Sequence, residues 1–363
     1  MSRTNRYERQ SRFAEIGEAG QGRLAASRVA VLGCGALGSV AAEILARAGV
    51  GHLTLIDRDT VEWSNLQRQS LYLETDAQLG RAKADAAAER IGQFNSDISV
   101  VAEVVDVTAD NIATLCADVD LVIDGTDNFG TRFLLNDYSL ERQLPWVHGG
   151  CVGATGQVAS FSGRGQPCFR CIVPLPPDPS MVQTCDTAGV VGAATHTVAS
   201  LQAMAAIRIL SHAAMQTDEE LFRSEVLSLD LWSGRIRNYA ISPVDCPACR
   251  GGRRDFLHGR LAAAADRTAV LCGRNAVQVH ALGKRLDLEG IAARWQSSGT
   301  VERNAFFVRL HLPCEREATT PAASVEASDQ ATTITLFRDG RAVVGGTENL
   351  GLARSLYARF VGG

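Results

Sequence analysis

The chain of 363 residues lacks any apolar run near the roughly 18 residues of a membrane span, so no spanning helix and no membrane partner are expected. Met1 to Asn5 is polar and runs into Arg6 and Arg9, unlike a signal peptide. A cytoplasmic location is therefore expected. A strong charge of one sign is also missing: 36 Lys and Arg against 40 Asp and Glu leave −4, which excludes nucleic acid as a general partner. No internal repeat occurs, and the seven His show no metal-ligand spacing. Ten Cys without an export signal argue against a disulfide framework and for metal-bound or reactive thiols.

What is present begins with an ordinary globular composition, 46% hydrophobic and 21% charged. The length admits one large and one small domain, or two of ordinary size. Arg28 to Gly33 is a short apolar run ending in Gly, read as a buried parallel strand. A Gly-rich loop follows, then a helix over 39–48, a turn at Gly49 to Gly51 and a second strand over 52–57. This is a βαβ unit. The alternation continues with a helix over 82–91, strands over 98–107 and 118–124, and a helix over 128–140. Longer strands are expected over 146–161, a helix over 195–211, and two strands around Ser233-Gly234. The fold class is α/β, a Rossmann-like, doubly wound, mostly parallel sheet, followed by a small C-terminal α+β domain.

Gly33-Cys34-Gly35-Ala36-Leu37-Gly38 is a Gly-x-Gly-x-x-Gly loop between strand and helix. Such a loop lets backbone amides approach phosphates, and Asp57, about 20 residues on, is placed to take ribose hydroxyls. The loop does not choose between NAD, FAD and ATP. Cations nearby in sequence do discriminate, because cleaving a triphosphate requires charge stabilisation that a redox cofactor does not. Arg9, Arg68 and Lys83 are the candidates, and Asp127 is a hard oxygen ligand for magnesium.

Cys168-Phe169-Arg170-Cys171 and Cys246-Pro247-Ala248-Cys249 are two short pairs that only the fold can bring together. Four thiolates in this spacing read as one closed, structural zinc site. Cys185, in Gln183-Thr184-Cys185-Asp186-Thr187, stands outside the pairs as a candidate nucleophile, although Asp186 would raise its pKa. Cys34 reads as a small packing residue.

These residues together resemble the ThiF/MoeB/HesA family, the bacterial relatives of ubiquitin-activating enzymes. Arg6-Tyr7-Glu8-Arg9-Gln10, Gly33 to Gly38, Asp57, Asn65 to Gln69, Lys83 and Thr126-Asp127-Asn128 follow the family's order. So do the two Cys pairs and Thr184-Cys185 with Ala188-Gly189-Val190. The resemblance covers roughly residues 5–250. It implies adenylation, with Mg-ATP, of the C-terminal Gly carboxylate of a small ubiquitin-like or sulfur-carrier protein ending in Gly-Gly. It implies a nucleotide site of Gly33, Gly35, Ala36, Gly38, Asp57, Asn65, Arg68, Gln69, Lys83, Thr126, Asp127 and Asn128. Within it Asp57 binds ribose, Asn65, Arg68 and Lys83 bind phosphates, and Asp127 coordinates magnesium. The resemblance further implies that Arg9 is donated across a homodimer interface, and Cys185 is the candidate to form a thioester or take part in persulfide transfer, the alternative being an inert thiol. An NAD-dependent oxidoreductase, a tRNA-carboxylate-adenylating relative and a scaffold without activity are the alternatives.

The adenylation domain is expected over 1–250, a linker over 251–267 and the small domain over 268–363. The latter reads as strand, helix over 287–295, strand over 304–312, strand pair over 332–345 and helix over 349–360. A loop over 316–333 is expected to be mobile. Cys272 to Val277 is the nearest approach to a rhodanese loop and is rejected, because it lies too early in the domain. Gly362-Gly363 reads as a frayed end rather than a carrier tail, since a helix precedes it.

Overall fold

The computed structural model describes residues 6–165, 167–177, 188–212, 221–242, 244–258, 275–279, 286–304, 306–313, 332–338 and 340–361, with the backbone of 268–271. The chain divides into two compact units, 1–264 and 265–363. Among the described residues no helix is long and apolar enough to cross a membrane.

In the first unit the strands are β1 (Arg28–Leu32), β2 (His52–Ile56), β3 (Ser99–Glu103), β4 (Leu121–Asp124), β5 (Trp146–Val152), β6 (Thr155–Phe161), β7 (Glu225–Asp230) and β8 (Arg235–Ala240). They form one eight-stranded sheet in the order β3-β2-β1-β4-β5-β6-β7-β8. The first five are parallel. β5 to β8 are joined antiparallel. Hairpins suffice for antiparallel strands, whereas each parallel step needs a crossover. The chain supplies crossovers with the helices Gly38–Ala48, Lys83–Phe94 and Phe129–Arg142.

Strand β1 is buried on both faces, so its successive side chains feed two cores. Val29 and Val31 join Leu45, Ala87, Val198 and Ala203, from the helices Gly38–Ala48, Lys83–Phe94 and Gly192–Ser211. Ala30 and Leu32 join Phe133, Tyr138, Trp146, Phe161 and Phe169 on the opposite face. Each large side chain so buried contributes about 1.5–3 kcal/mol, which makes this layered sheet the frame of the first unit. The strand order reverses between β1 and β4, with β2 on the other side of β1. A crevice beyond the carboxyl ends of strands at such a reversal is where α/β folds bind ligands.

The helices Glu8–Ser11, Gly17–Ala26 and Glu74–Gln78 and the strand β11 (Thr300–Arg303) have no counterpart in the sequence expectation. The second unit holds β9 (Thr268–Leu271), β10 (Ala276–Val279), β11, β12 (Phe307–His311), β13 (Thr333–Phe337) and β14 (Ala342–Gly345). These make an antiparallel six-stranded sheet in the order β11-β12-β13-β14-β10-β9. The helices Leu288–Trp295 and Leu350–Phe360 pack on it around Trp295, Val308, Leu336 and Tyr357. Side chains of Asp287 and Asn349 cap the two helix starts, as their sequence positions dictate. Cys185, Cys272, the loop over 316–331 and Gly362-Gly363 lie outside the described residues.

Candidate nucleotide and metal sites

The Gly-rich loop leaves β1 at Gly33, whose φ of 82° belongs to the left-handed region that favours glycine. Gly33 N–H donates to Ile56 O at 2.8 Å. A Cβ on Gly38 would stand 1.7 Å from Gly33 O, so loop and helix start close to within backbone contact. At Gly35 the picture differs. A Cβ there would meet only Gln69 Nε2, at 4.0 Å. Gly35 thus offers an open face of backbone, a cradle shaped for a phosphate chain.

Asp57 follows β2 and grips the loop: its Oδ2 accepts Cys34 N–H at 2.6 Å and its Oδ1 accepts Asp59 N–H at 2.7 Å. Burial pushes the Asp57 carboxyl up, against the pull of Lys83. Lys83 is 4% exposed. Its Nζ lies 3.6 Å from Asp59 Oδ2, and its backbone N–H donates to Asp59 O at 2.9 Å. Sequence reasoning missed Asp59, although it lies two residues past Asp57. Tyr72 was missed too; its hydroxyl donates to Cys34 O at 2.6 Å, pinning the loop from below. Burial raises that phenol well above its ordinary range. Cys34 is fully buried and its thiol is raised by burial, as a packing residue should be.

Asn65 ends the 3₁₀ turn Trp63–Asn65 and accepts Glu62 N–H at 3.0 Å. One turn on, Gln69 is 4% exposed and approaches Gly35, and its Oε1 is buried without a partner among the described residues. Arg68 Nη1 donates to Ser64 O at 2.7 Å.

After β4 the chain turns through Gly125 to the Thr126-Asp127-Asn128 segment. Gly125 lies against Gly33, so this segment borders the same crevice. Thr126 turns its hydroxyl inward to Asp124 Oδ1 at 2.7 Å. Asn128 Oδ1 caps the helix Phe129–Arg142 by accepting Thr131 N–H at 2.8 Å. Asp127 between them is exposed and makes no hydrogen bond or ion pair among the described residues. An exposed, unpaired carboxylate beside a phosphate cradle fits a divalent cation. Behind it lies a buried set that the sequence did not announce: Asp124, Arg132 and His148, with His148 Nδ1 at 2.8 Å from Asp124 Oδ2.

Arg9 is not brought to this crevice. Its short helix, Glu8–Ser11, is anchored at the far end of the helix Gly38–Ala48. Gln10 Nε2 donates to Ala48 O at 2.8 Å, and a Cβ on Gly49 would meet the Tyr7 ring at 2.5 Å. Eleven helical residues at 1.5 Å each put about 15 Å between that anchor and the Gly loop. Arg9 itself is exposed.

The two Cys pairs do converge. Their four sulfurs all lie within 4.8 Å of one another. Cys168 to Cys246 is 3.6 Å, Cys171 to Cys249 is 3.5 Å and Cys168 to Cys171 is 3.9 Å. A tetrahedral zinc with bonds of about 2.3 Å requires sulfurs about 3.8 Å apart, so the cage has the right size. Hydrogen bonding with Cys168 holds the Cys171 thiol down at about 5, and Cys168 is pushed up in return. The cage is bolted to the helix Phe129–Arg142. Phe169 N–H donates to Asn136 Oδ1 and Phe256 N–H to Asp137 Oδ2, both at 2.9 Å.

Fold and sites together define a Rossmann-like α/β protein of the nucleotide-binding class, with a four-cysteine cluster of the size to hold a metal. Residues 7–250 match the ThiF family, and the chain belongs to that family. It is 37% identical over 364 residues to the sulfur carrier protein ThiS adenylyltransferase of Bacillus subtilis, a match spanning 99% of this chain and 100% of that one. The SAMP-activating enzyme E1 of Haloferax volcanii is 38% identical over 253 residues, covering 70% of this chain and 91% of its own. The adenylyltransferase and sulfurtransferase MOCS3 of Culex quinquefasciatus is 37% identical over 246 residues, and there the match spans 67% of this chain but only 55% of the relative. Among solved structures, Escherichia coli MccB with ATP superposes with a TM-score of 0.57 at 21% identity, covering 69% of this chain and 75% of that one. At that identity the likeness concerns the fold.

Proposed function

We propose that this protein is an ATP-dependent adenylyltransferase that activates the C-terminal Gly carboxylate of a small ubiquitin-like or sulfur-carrier protein. Family membership makes it a nucleotidyltransferase of this kind. The carrier and the sulfur pathway it serves are the finer part of the reading. In the reaction a carboxylate oxygen attacks the α-phosphorus of ATP, the bond to the bridging oxygen breaks, and pyrophosphate leaves with the electron pair. The product is an acyl-adenylate. The carboxylate is itself the nucleophile, so no general base is required, and the protein supplies position and charge.

Gly35 and its neighbours Gly33, Ala36 and Gly38 receive the phosphate chain, and Asp57 takes the ribose hydroxyls. Lys83, beside Asp57 and Asp59, meets the phosphates together with Asn65, Arg68 and Gln69. Asp127 is the residue that would hold magnesium, which when bound neutralises phosphate charge. Thr126 and Asn128 shape the loop that carries it. Arg9 completes the site of a second subunit; its anchorage about 15 Å from its own loop supports a homodimer. Cys168, Cys171, Cys246 and Cys249 hold a structural zinc with no open position. Cys185 is the acceptor for a thioester or persulfide.

The observation that carries this reading is the open backbone face at Gly35, flanked by Gln69 and by the Asp57–Lys83 pair. Exchange of labelled pyrophosphate into ATP is the test. Exchange is expected only with a carrier ending in Gly-Gly and is lost when those two residues are removed. Nicotinamide turnover without exchange would overturn the proposal.

A further inference from the structure

The reaction as set out leaves the buried cluster behind Asp127 without a task. Asp124, His148 and Arg132 are 1%, 2% and 7% exposed, and charges so buried persist only where partners satisfy them. Arg132 divides its donors. Nε donates to Asp124 Oδ2 at 3.1 Å, and Nη2 donates to the carbonyl oxygens of Thr126 at 2.6 Å and Gly149 at 3.2 Å. The guanidinium also lies 5.4 Å from the ring centroid of Phe129. Asp124 Oδ1 accepts both Thr126 N–H, at 3.0 Å, and the Thr126 hydroxyl. One buried ion pair therefore holds every polar group of Thr126. Asn128, on the other side of Asp127, is held by its helix cap. Both neighbours of Asp127 are fixed while its own carboxylate is exposed.

We propose that Arg132 is a positioning residue for the adenylation reaction: through Asp124 and the Thr126 carbonyl it sets the backbone that presents Asp127 to a divalent cation. The inference rests on the reading that Asp127 is the metal-holding carboxylate. Arg132 suits the task because it sits in the first turns of the helix Phe129–Arg142, where side chains lean back toward the N-terminus. Its planar fork reaches a carboxylate from Nε and two carbonyls from Nη2 in one fixed plane, whereas an ammonium offers its donors from a single atom on a flexible stem.

The test uses the full chain as wild type, Arg132→Gln, Arg132→Lys and Thr126→Val. Manganese with ATP is the first probe, free manganese being read by its electron paramagnetic resonance signal. The second is the magnesium concentration giving half-maximal pyrophosphate exchange. Arg132→Gln is expected to weaken metal binding by at least about tenfold, with Arg132→Lys between it and wild type. Binding of ATP in the presence of EDTA stays within about threefold, which a general collapse of the site would not allow. Thr126→Val keeps the carbonyl but loses the hydroxyl, and a loss of about threefold in metal affinity is expected; it decides the matter if Arg132→Gln fails to fold. Metal dependence within about twofold of wild type in Arg132→Gln, or in Thr126→Val where the former does not fold, overturns the proposal. A wild type without exchange, whose manganese affinity nevertheless falls in Arg132→Gln, overturns the adenylation reading while the placing of Asp127 toward a cation by Arg132 stands.

Discussion

At the scale of single residues, the shape of the Gly-rich loop was legible because its geometry is local. Gly33 and Gly38 are spaced by the turn they make, and Asp57 by the length of one βα unit. Tyr72, which holds that loop, and the buried set of Asp124, Arg132 and His148 behind Thr126-Asp127-Asn128 were not legible, since their partners come from other elements. They have consequences for acid stability. Burial lowers the His148 pKa from its ordinary 6.5, so the unfolded chain binds a proton there that the folded chain does not. Burial alone would raise Asp124, but Arg132 and His148 more than offset it, and its carboxyl lies below the ordinary range. Both groups contribute stability that is complete above the unfolded pKa and is lost as pH falls. Unfolding free energy is expected to fall from about pH 7 to about pH 5, by up to about 1.4 kcal/mol per pH unit for His148, and the melting temperature falls with it. His148→Gln should flatten that slope in a pH series of thermal melts. Cys34, by contrast, only fills space. Cys34→Ala is expected to cost about 1 kcal/mol in denaturant titration and leave pyrophosphate exchange within about threefold.

Elements tell a second story. Apolar runs at strand length and Ala-rich stretches at helix length placed most of the sheet and its crossovers, because β1 carries a core on each face and cannot alternate with polar residues. The short helices without a clear apolar stripe failed to register. The helix Gly17–Ala26 carries three Gly and little apolar periodicity, and tertiary contact through Leu24 decides its state. The Cys pairs were readable as pairs, but not their attachment to the helix Phe129–Arg142 through Asn136 and Asp137. That attachment predicts what chelation does. Stripping the metal, or Cys246→Ser, is expected to lower the melting temperature by at least about 5 °C. Wild-type protein should carry about one zinc per chain by atomic emission, as one four-thiolate cage requires. Zinc-free protein that melts at the wild-type temperature would remove the structural role assigned to the cage.

For the molecule as a whole, the sequence expectation was 1–250, a linker over 251–267 and 268–363; the two compact units are 1–264 and 265–363, and Phe256 and Leu257 of the expected linker pack on the first. No local pattern could reveal where Arg9 would lie, because that depends on Tyr7 and Gln10 docking at the end of a helix folded from residues far downstream. If Arg9 serves the neighbouring subunit, Arg9→Ala and Lys83→Ala are each expected to lose at least about 100-fold in exchange. Unfolding and refolding the two inactive variants together should restore up to about a quarter of wild-type activity, since half the dimers are mixed and each mixed dimer has one intact site. No recovery, with mixed dimers demonstrated by mass, would place Arg9 outside the reaction. The remote anchorage of that arginine carries one more implication. If Arg9 serves the neighbouring subunit, turnover per molecule would fade on dilution, since a protomer alone in solution would be only half a machine, and the amount of this polypeptide made would itself set the pace.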